Sequence, residues 1–459
     1  MRQICLYVFG EYAGAWIQAG ALVFQSGGIS FETGRDVSRI CIAGNGDRQD
    51  TESAGGMPPL SGRNAAAKRG GRIPMHGEAG KLCRARNKSD GGIRFREGGT
   101  DAEAKGDHMT EKELLYVTEV LKGKEPQELP DDWYVLIGFL QSHRVGGLFY
   151  SRAKAAGISL PKKAEKVLRE TYEKQKRRVQ FLRGYISELS EGLRKAQAEY
   201  VFLKGSVLAN LSEKEIYADG ERASEDIDLL VKPDGTERVE NVLRELGYIQ
   251  GEYDAAENTV KRYSRIEIVK RRLNRGETAP YIKLTGNREI PFVEADINFS
   301  LGNTPQDGQA LLTETVRSGR EYAGKVSLRV PDAELFFLHL IMHQYKESCL
   351  YFMAERGKDL ELYKLADIFY LIKAEAYGME KTDKVVGRHK TGDRLGAVLQ
   401  QVGEVFDDEE ILRMAERYGR AQPDVLDYEG KKRYTWTAPV RERIRRFDAL
   451  RYLRGKGEI

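Results

Sequence analysis

The sequence predicts an α+β protein, a small mixed β-sheet core flanked by helical regions on its N-terminal and C-terminal sides. Three observations carry that expectation. Two short apolar runs, YVFLKG from Tyr200 and DIDLLV from Asp226, are bounded by turn residues and read as buried strands. PFVEADINF, from Pro291, alternates apolar and polar residues and reads as a third strand. On either side of these runs, apolar residues recur every three to four positions through long charged stretches, as in amphipathic helices.

Composition narrows the class further. With 459 residues, 41% hydrophobic and 31% charged, the chain reads as a soluble globular protein with room for two or three domains. No stretch matches the ~18 uninterrupted apolar residues of a membrane span. The apolar first twenty-five residues are interrupted by Glu11 and lead to no clean cleavage site, so no signal peptide and a cytoplasmic location are expected. Cys5, Cys41 and Cys83 lie early and only Cys349 follows, which does not suit a disulfide framework. Before Met109 there are 15 Lys/Arg against 12 Asp/Glu, or +3 of the total +4, which leaves +1 for all that follows. Nucleic acid is therefore possible as a partner but is not indicated by charge.

Taken in order, the first segment is unlike the rest. Residues 1–108 hold 20 of the 48 glycines, and stretches such as GNGDRQDTESAGGMPPLSGRNAAAKRGGR lack any apolar period. The expectation is disorder over 1–108, either as a mis-assigned upstream translation ahead of a biological start at Met109 or as a real, flexible N-terminal tail. MTEKELLYVTEVLKG, from Met109, is an amphipathic helix with acidic residues in its first turn. Asp131 and Asp132 can cap a helix carrying Trp133, Leu136, Phe139 and Leu140. Pro161 opens a long charged helix with Leu168, Tyr172, Phe181, Leu182, Ile186, Leu189 and Leu193 on its apolar stripe, and its basic face is expected in solvent. These make a helical region over 109–198.

The core is expected over 199–330. After the DIDLLV strand, PDGTERVENVLRELG reads as a helix closed by Gly247. TVKRYSRIEIVK, from Thr259, and PYIKL, from Pro280, read as further strands. A C-terminal helical domain over 331–459 begins with AELFFLHLIMHQYKES, DLELYKLADIFYLIKA and DRLGAVLQQVGEVF. It ends in VRERIRRFDALRYLRGKG, which reads as a basic surface helix.

The chemistry concentrates in the core. Residues two apart in a strand share a face, so Asp226 and Asp228 point together, and carboxylates held that close repel unless a cation joins them. Hard divalent ions such as Mg²⁺ take oxygen ligands and keep substrate phosphates in their shell. Gly205-Ser206, between a strand and a helix, offers a side-chain-free approach to phosphate, helix N–H groups and a hydroxyl donor. Asp296 sits among Val293, Ala295 and Ile297, a costly place for an uncompensated charge, and Glu294 competes with it as the third carboxylate. If that strand lies beside DIDLLV, the three acids suit in-line phosphoryl displacement with two metal ions. Lys204 reads either as a phosphate contact or as an exposed strand-end lysine, and Arg222 as a phosphate contact or a solvated loop cation. His339 and His343, four apart without a third ligand, read as structural or substrate-facing rather than zinc-binding.

The series of hydrophobic-Gly-Ser, Asp-hydrophobic-Asp and a later strand Asp resembles the DNA polymerase beta type nucleotidyltransferase superfamily. YVFLKGS, Arg222, DIDLLV, LRELGY, HLIMHQYKES and LADIFYLI, taken together, are similar to an uncharacterised bacterial nucleotidyltransferase family. The resemblance implies that Gly205 and Ser206 bind nucleotide phosphates, that Asp226 and Asp228 are metal ligands and that Asp296 is the third carboxylate. The sequence departs from the pattern twice. A longer gap between Gly205 and Asp226 makes Ser212 to Ser224 an insertion, and Asn298 stands where relatives often carry His. The implied activity is Mg²⁺-dependent transfer of a nucleoside monophosphate from a nucleoside triphosphate to an unidentified acceptor: a small hydroxylated compound, a protein side chain or an RNA end. The competing expectation is a non-catalytic nucleotide-binding or sensing protein that retains the fold.

Overall fold

A computed structural model describes residues 6–12, 15–25, 28–31, 109–212, 216–302, 308–419, 423–427, 430–446 and 452–455. Contacts group Met1–Gly34 with Gly106–Ile459, and set apart Arg35–Lys105, which lies outside the described residues. Strands β1 (Leu6–Tyr12), β2 (Ala15–Gln25) and β3 (Gly28–Phe31) form an antiparallel meander. Disorder was expected for this stretch. Its runs of aromatic and β-branched residues favour strand over coil. The remainder of 1–108, on which the same expectation falls, is outside the described residues.

Helices α1 (Glu111–Leu121), α2 (Trp133–Ser142), α3 (Gly146–Ala155) and α4 (Lys162–Lys195) follow. The acidic first turn of α1 works as a capping box: Thr110 N–H donates to Glu113 Oε2 at 2.8 Å, and Glu113 N–H donates to Thr110 Oγ1 at 3.2 Å. Asp132 caps α2 by accepting the N–H groups of Tyr134 and Val135. On α4, Leu168, Val179, Leu182, Ile186, Leu189 and Leu193 are buried in one stripe, which seats this ~51 Å rod along the core. Its basic face is only partly in solvent, because Arg178 and Arg183 reach back to the loop before β5.

His143 follows α2 and is buried, and its Nδ1 accepts the Leu362 N–H at 3.2 Å. Burial lowers its imidazole from 6.5 to about 4, against an opposing pull from Glu361. Between those two values the unfolded chain holds a proton that the fold excludes, so stability is complete above about pH 6.5 and falls as the pH drops toward 4. The expected loss is on the order of 2–3 kcal/mol, measured by denaturant unfolding at stepped pH, and His143→Asn should flatten the slope over that window.

The central sheet comprises β4 (Tyr200–Phe202), β5 (Asp226–Val231), β6 (Ile249–Asp254), β7 (Thr259–Arg262), β8 (Tyr281–Leu284) and β9 (Phe292–Asn298). Its strand order is β4-β5-β9-β8-β6-β7, and β5 and β9 are the parallel pair in an otherwise antiparallel sheet. β5 is buried along nearly its whole length, whereas β9 alternates: Val293, Ala295 and Ile297 face the core. Between strands lie the single turn α5 (Lys204–Leu208), α6 (Thr236–Glu245) and α7 (Arg265–Arg275). α6 ends before Gly247, whose φ of +86° suits a residue without a side chain.

Two expectations change here. TVKRYSRIEIVK is a strand only through Arg262; Ser264 and Glu267 then form a capping box that starts α7. VRERIRRFDALRYLRGKG is not a surface helix among the described residues. It holds one short helix and a strand, and Arg443 is 1% exposed with its guanidinium 3.8 Å from the centre of the Trp436 ring.

The remaining elements close the C-terminal side. They are α8 (Gln309–Arg317), hairpin β10 (Arg320–Ala323) and β11 (Ser327–Val330), α9 (Ala333–Ser348), α10 (Tyr351–Glu355), α11 (Leu362–Lys373), α12 (Met379–His389), α13 (Gly392–Phe406), α14 (Glu409–Glu416), β12 (Val425–Leu426), β13 (Lys432–Trp436), α15 (Val440–Ile444) and β14 (Leu453–Gly455). α9, α11 and α13 pack on one another, and Leu335, Leu338, Leu365, Ile368, Val398 and Val402 on them are buried in the core. No described helix is long and apolar enough to cross a membrane.

Candidate active site

Two paired strands and one turn build the site. β5 and β9 run parallel in a register that sets Asp226 beside Glu294 and Asp228 beside Asp296. Because residues in register on neighbouring strands share a face, the four carboxylates emerge on one side of the sheet, with Asn298 next along β9. Ligand oxygens of Asp226, Asp228 and Asp296 lie within 4.8 Å of one another. Asp228 is buried, and the other two are half-buried.

Such a cluster is electrostatically loaded. Burial pushes Asp228 above the ordinary carboxylate range, with Lys204 pulling it down and Asp226 pushing it further up. Burial also raises Asp296 well above that range, reinforced by Glu294, Asp228, Asp226 and Glu277. Lys204 relieves part of the charge: its Nζ lies 2.8 Å from Asp228 Oδ1. Burial alone would lower this ammonium, but the charges of Asp228 and Asp226 outweigh it and hold it above the usual lysine range. Asn298 Nδ2 donates to the same Asp228 oxygen at 3.4 Å, so Asn298 reaches the cluster.

The turn leads out of β4. Lys204 adopts a left-handed backbone at φ 46°, which costs a residue with a β-carbon about 1–2 kcal/mol. Its side chain is half-buried against the acids, not an exposed strand-end lysine. α5 begins at Lys204 rather than Ser206 and is only five residues long, so the helix dipole expected to favour phosphate is that of a single turn. Gly205 has a steric reason of its own: a Cβ there would meet Ser224 Oγ at 2.6 Å. Gly205→Ala should cost about 1–3 kcal/mol in denaturant unfolding, and adding Ser224→Gly should restore most of it. Ser206 is 1% exposed, and its Oγ has no hydrogen-bond partner among the described residues.

Residues 130–407, more than half of the chain, match a family described as uncharacterised nucleotidyltransferase. The chain belongs to this nucleotidyltransferase family. No curated protein and no solved structure matches it. The span common to the nucleotidyltransferase family takes in every candidate residue named above and runs on through α13.

Within that span, Arg222 takes a place that neither sequence reading foresaw. It is buried, with Nε 2.8 Å from Asp367 Oδ1 and Nη2 2.8 Å from Asp367 Oδ2, while its Nη1 donates to Ala223 O. The Tyr217 hydroxyl donates to the same carboxylate at 2.8 Å, and the Tyr363 ring centre is 4.5 Å from the guanidinium. Arg222 is thus not a solvated loop cation but part of a buried clamp between the loop and α11. The loop read as an insertion is fastened elsewhere too. Arg183 and Lys325 bind Asp219, Arg152 meets Glu221 at 3.2 Å, and Arg178 donates to the carbonyls of Ser224 and Glu225. These ties fix the entry to β5, and hence the position of Asp226.

Sequence reasoning missed Glu277, which bridges to Asn298 at the end of β9 and adds a further charge near Asp296. No spacing signal points to it, since its approach depends on how α7 ends. Glu294 was legible from the alternation in EADIN, which places Glu294, Asp296 and Asn298 on one face.

Proposed function

We propose that the protein transfers a nucleoside monophosphate from a nucleoside triphosphate to a hydroxyl acceptor in the cytoplasm, with release of pyrophosphate. The observation that supports this reading is the convergence of Asp226, Asp228 and Asp296 from paired strands beside the Gly205-Ser206 turn. The residues suit a divalent cation. They offer three hard oxygen donors where a cationic group, the Lys204 ammonium, already offsets the charge of Asp228. Mg²⁺, as two ions in the two-metal form of this chemistry, supplies charge neutralisation at the transferring phosphoryl group.

The chain's own groups divide the remaining work. Asp226 and Asp228, with Asp296, would hold the cations. Asp296, in register with Asp228 on the paired strand, takes the proton from the acceptor hydroxyl. As the acceptor oxygen bonds to the α-phosphorus, the bond from that phosphorus to the bridging oxygen breaks, and pyrophosphate leaves with the electron pair. Ser206 Oγ, which has no partner among the described residues, donates to phosphate, with the Lys204 ammonium, paired with Asp228, as a second donor. The acceptor is a small hydroxylated molecule, a protein side chain or an RNA end.

The test is label transfer. The full chain is incubated with α-labelled nucleoside triphosphates, Mg²⁺ and a cell extract, then with EDTA in a parallel sample. Acid-stable labelled product that requires Mg²⁺ is expected. Nucleotide binding without transfer under any acceptor supply would overturn the reading in favour of a sensor.

A further inference from the structure

We propose that α7 carries a docking seam for an acidic amphipathic helix of a protein partner. This helix is inverted relative to one that merely covers its own core. Arg271 and Arg272 turn toward the fold: the Arg271 guanidinium lies 4.5 Å from the centre of the Tyr263 ring and donates to its hydroxyl at 3.1 Å, and Arg272 Nη1 is 3.5 Å from Glu240 Oε1. The aliphatic side chains turn outward. Ile266, Val269 and Leu273 are 67%, 46% and 67% exposed, three of the eight large apolar residues that stand exposed among the described residues. Single apolar residues on a surface need no explanation, but three within two turns of one helix make a patch. The far end of α7 is fastened beside the end of β9, the strand that bears Asp296, since Gly276 O accepts the Phe299 N–H at 2.8 Å and Glu277 bridges to Asn298.

The spacing of the patch says what fits it. Ile266, Val269 and Leu273 are separated by three and then four positions, the a-d-a rhythm of a coiled-coil seam, in which side chains of one helix seat between those of another. Around the helix axis the three fall within about 60°, narrower than the stripe of a helix laid on a broad core or in a membrane interface, and none of them is aromatic. The flanks set the sign of the partner. Arg265 and Lys270, at the g and e places beside the seam, are exposed, and so are Lys261 and Arg262 on the preceding strand. The acid among them, Glu267, is turned to the start of the helix, where its Oε2 accepts the Ser264 N–H at 2.7 Å. Such flanks repel a second copy of α7 and attract a helix with Asp or Glu at its own e and g places. A nucleic acid would engage the basic residues through its phosphates and leave the aliphatic seam uncovered.

The probe is a synthetic three-heptad peptide with Ile at a, Leu at d and Glu at e and g, whose copies repel one another, and a twin with Lys at e and g. Fluorescence anisotropy of each labelled peptide against the full chain should show the Glu peptide bound on the order of tenfold more tightly than its twin, with the difference shrinking as salt is added. Ile266→Gln with Leu273→Gln should weaken the Glu peptide on the order of tenfold, and Arg265→Glu with Lys270→Glu should reverse the preference between the two peptides. All four positions are exposed, so melting temperatures should stay close to that of the wild type. No binding of the Glu peptide, equal binding of the two peptides, or binding that survives Ile266→Gln with Leu273→Gln overturns the proposal. Capture by phosphatidylserine vesicles or by a single-stranded RNA oligonucleotide, with the Glu peptide unbound, assigns the face to a membrane or a nucleic acid and overturns it too. So does a dimer in sedimentation velocity that Leu273→Gln dissolves, which assigns the face to a second copy. Should the charge-reversed chain fail to fold, the wild type's choice between the peptides decides the matter. None of these readouts involves nucleotidyl transfer, so the failure of the seam and the failure of the enzyme reading are separable.

Discussion

Asp226→Ala and Asp296→Ala should each lower nucleotidyl transfer by about 10²–10³-fold or more while leaving the fold at least as stable as the wild type. The two halves of this expectation come from the same cause. Ligand oxygens of the three carboxylates lie within 4.8 Å of one another, an arrangement that the proposed function explains by a cation and a transferring phosphoryl group. In the chain alone, their mutual repulsion opposes folding. Removing one relieves that repulsion and removes the chemistry. Asp228→Ala should behave differently, since it also strips the Lys204 ammonium of its 2.8 Å partner and leaves a largely buried cation behind. Transfer should again be lost, now with a lower melting temperature. Label transfer and thermal unfolding of the three variants side by side check this. An Asp226→Ala chain that melts as low as Asp228→Ala would contradict the repulsion account.

Arg222→Ala is expected to destabilise the protein by about 3–5 kcal/mol, because it leaves the buried Asp367 carboxylate and the Tyr217 hydroxyl without their cation. The pair spans 145 positions of sequence and joins the loop before β5 to α11. Arg222→Met with Asp367→Leu should recover much of the loss, since two apolar side chains can fill a site where one orphaned charge cannot. Denaturant unfolding of the two single variants and the pair measures the coupling. If Arg222 acted on phosphate instead, its single variant would weaken nucleotide binding with little change in unfolding. The two outcomes are thus separable on one set of samples.

Much of the site was legible because strand periodicity is a local property. Asp226 and Asp228 had to share a face, and EADIN had to turn Glu294, Asp296 and Asn298 one way and Ala295 and Ile297 the other. The long α4 helix was legible for the same reason, since its apolar stripe repeats with the helical period over many turns. The weakest readings were those where two local signals competed. RIEIVK has β-branched residues that suit a strand, yet the Ser264-x-x-Glu267 capping box just ahead decided for a helix. The basic C-terminal stretch looked like a solvated face, and Arg443 is instead packed against Trp436 and paired with Asp359.

By itself, then, the sequence determined the α+β class, the faces of the strands and the identity of the acidic residues, because each follows from spacing within a single element. Tertiary structure alone decided which strands became neighbours. The parallel pairing of β5 with β9, and its register of Asp228 with Asp296, joins residues 68 positions apart. It also decided that Lys204 meets Asp228, that Arg222 is consumed by Asp367 and that the α9 histidines face inward. Each of these is a contact between distant segments, set by how whole elements pack, and the energy that selects it is not encoded in any one stretch of the chain.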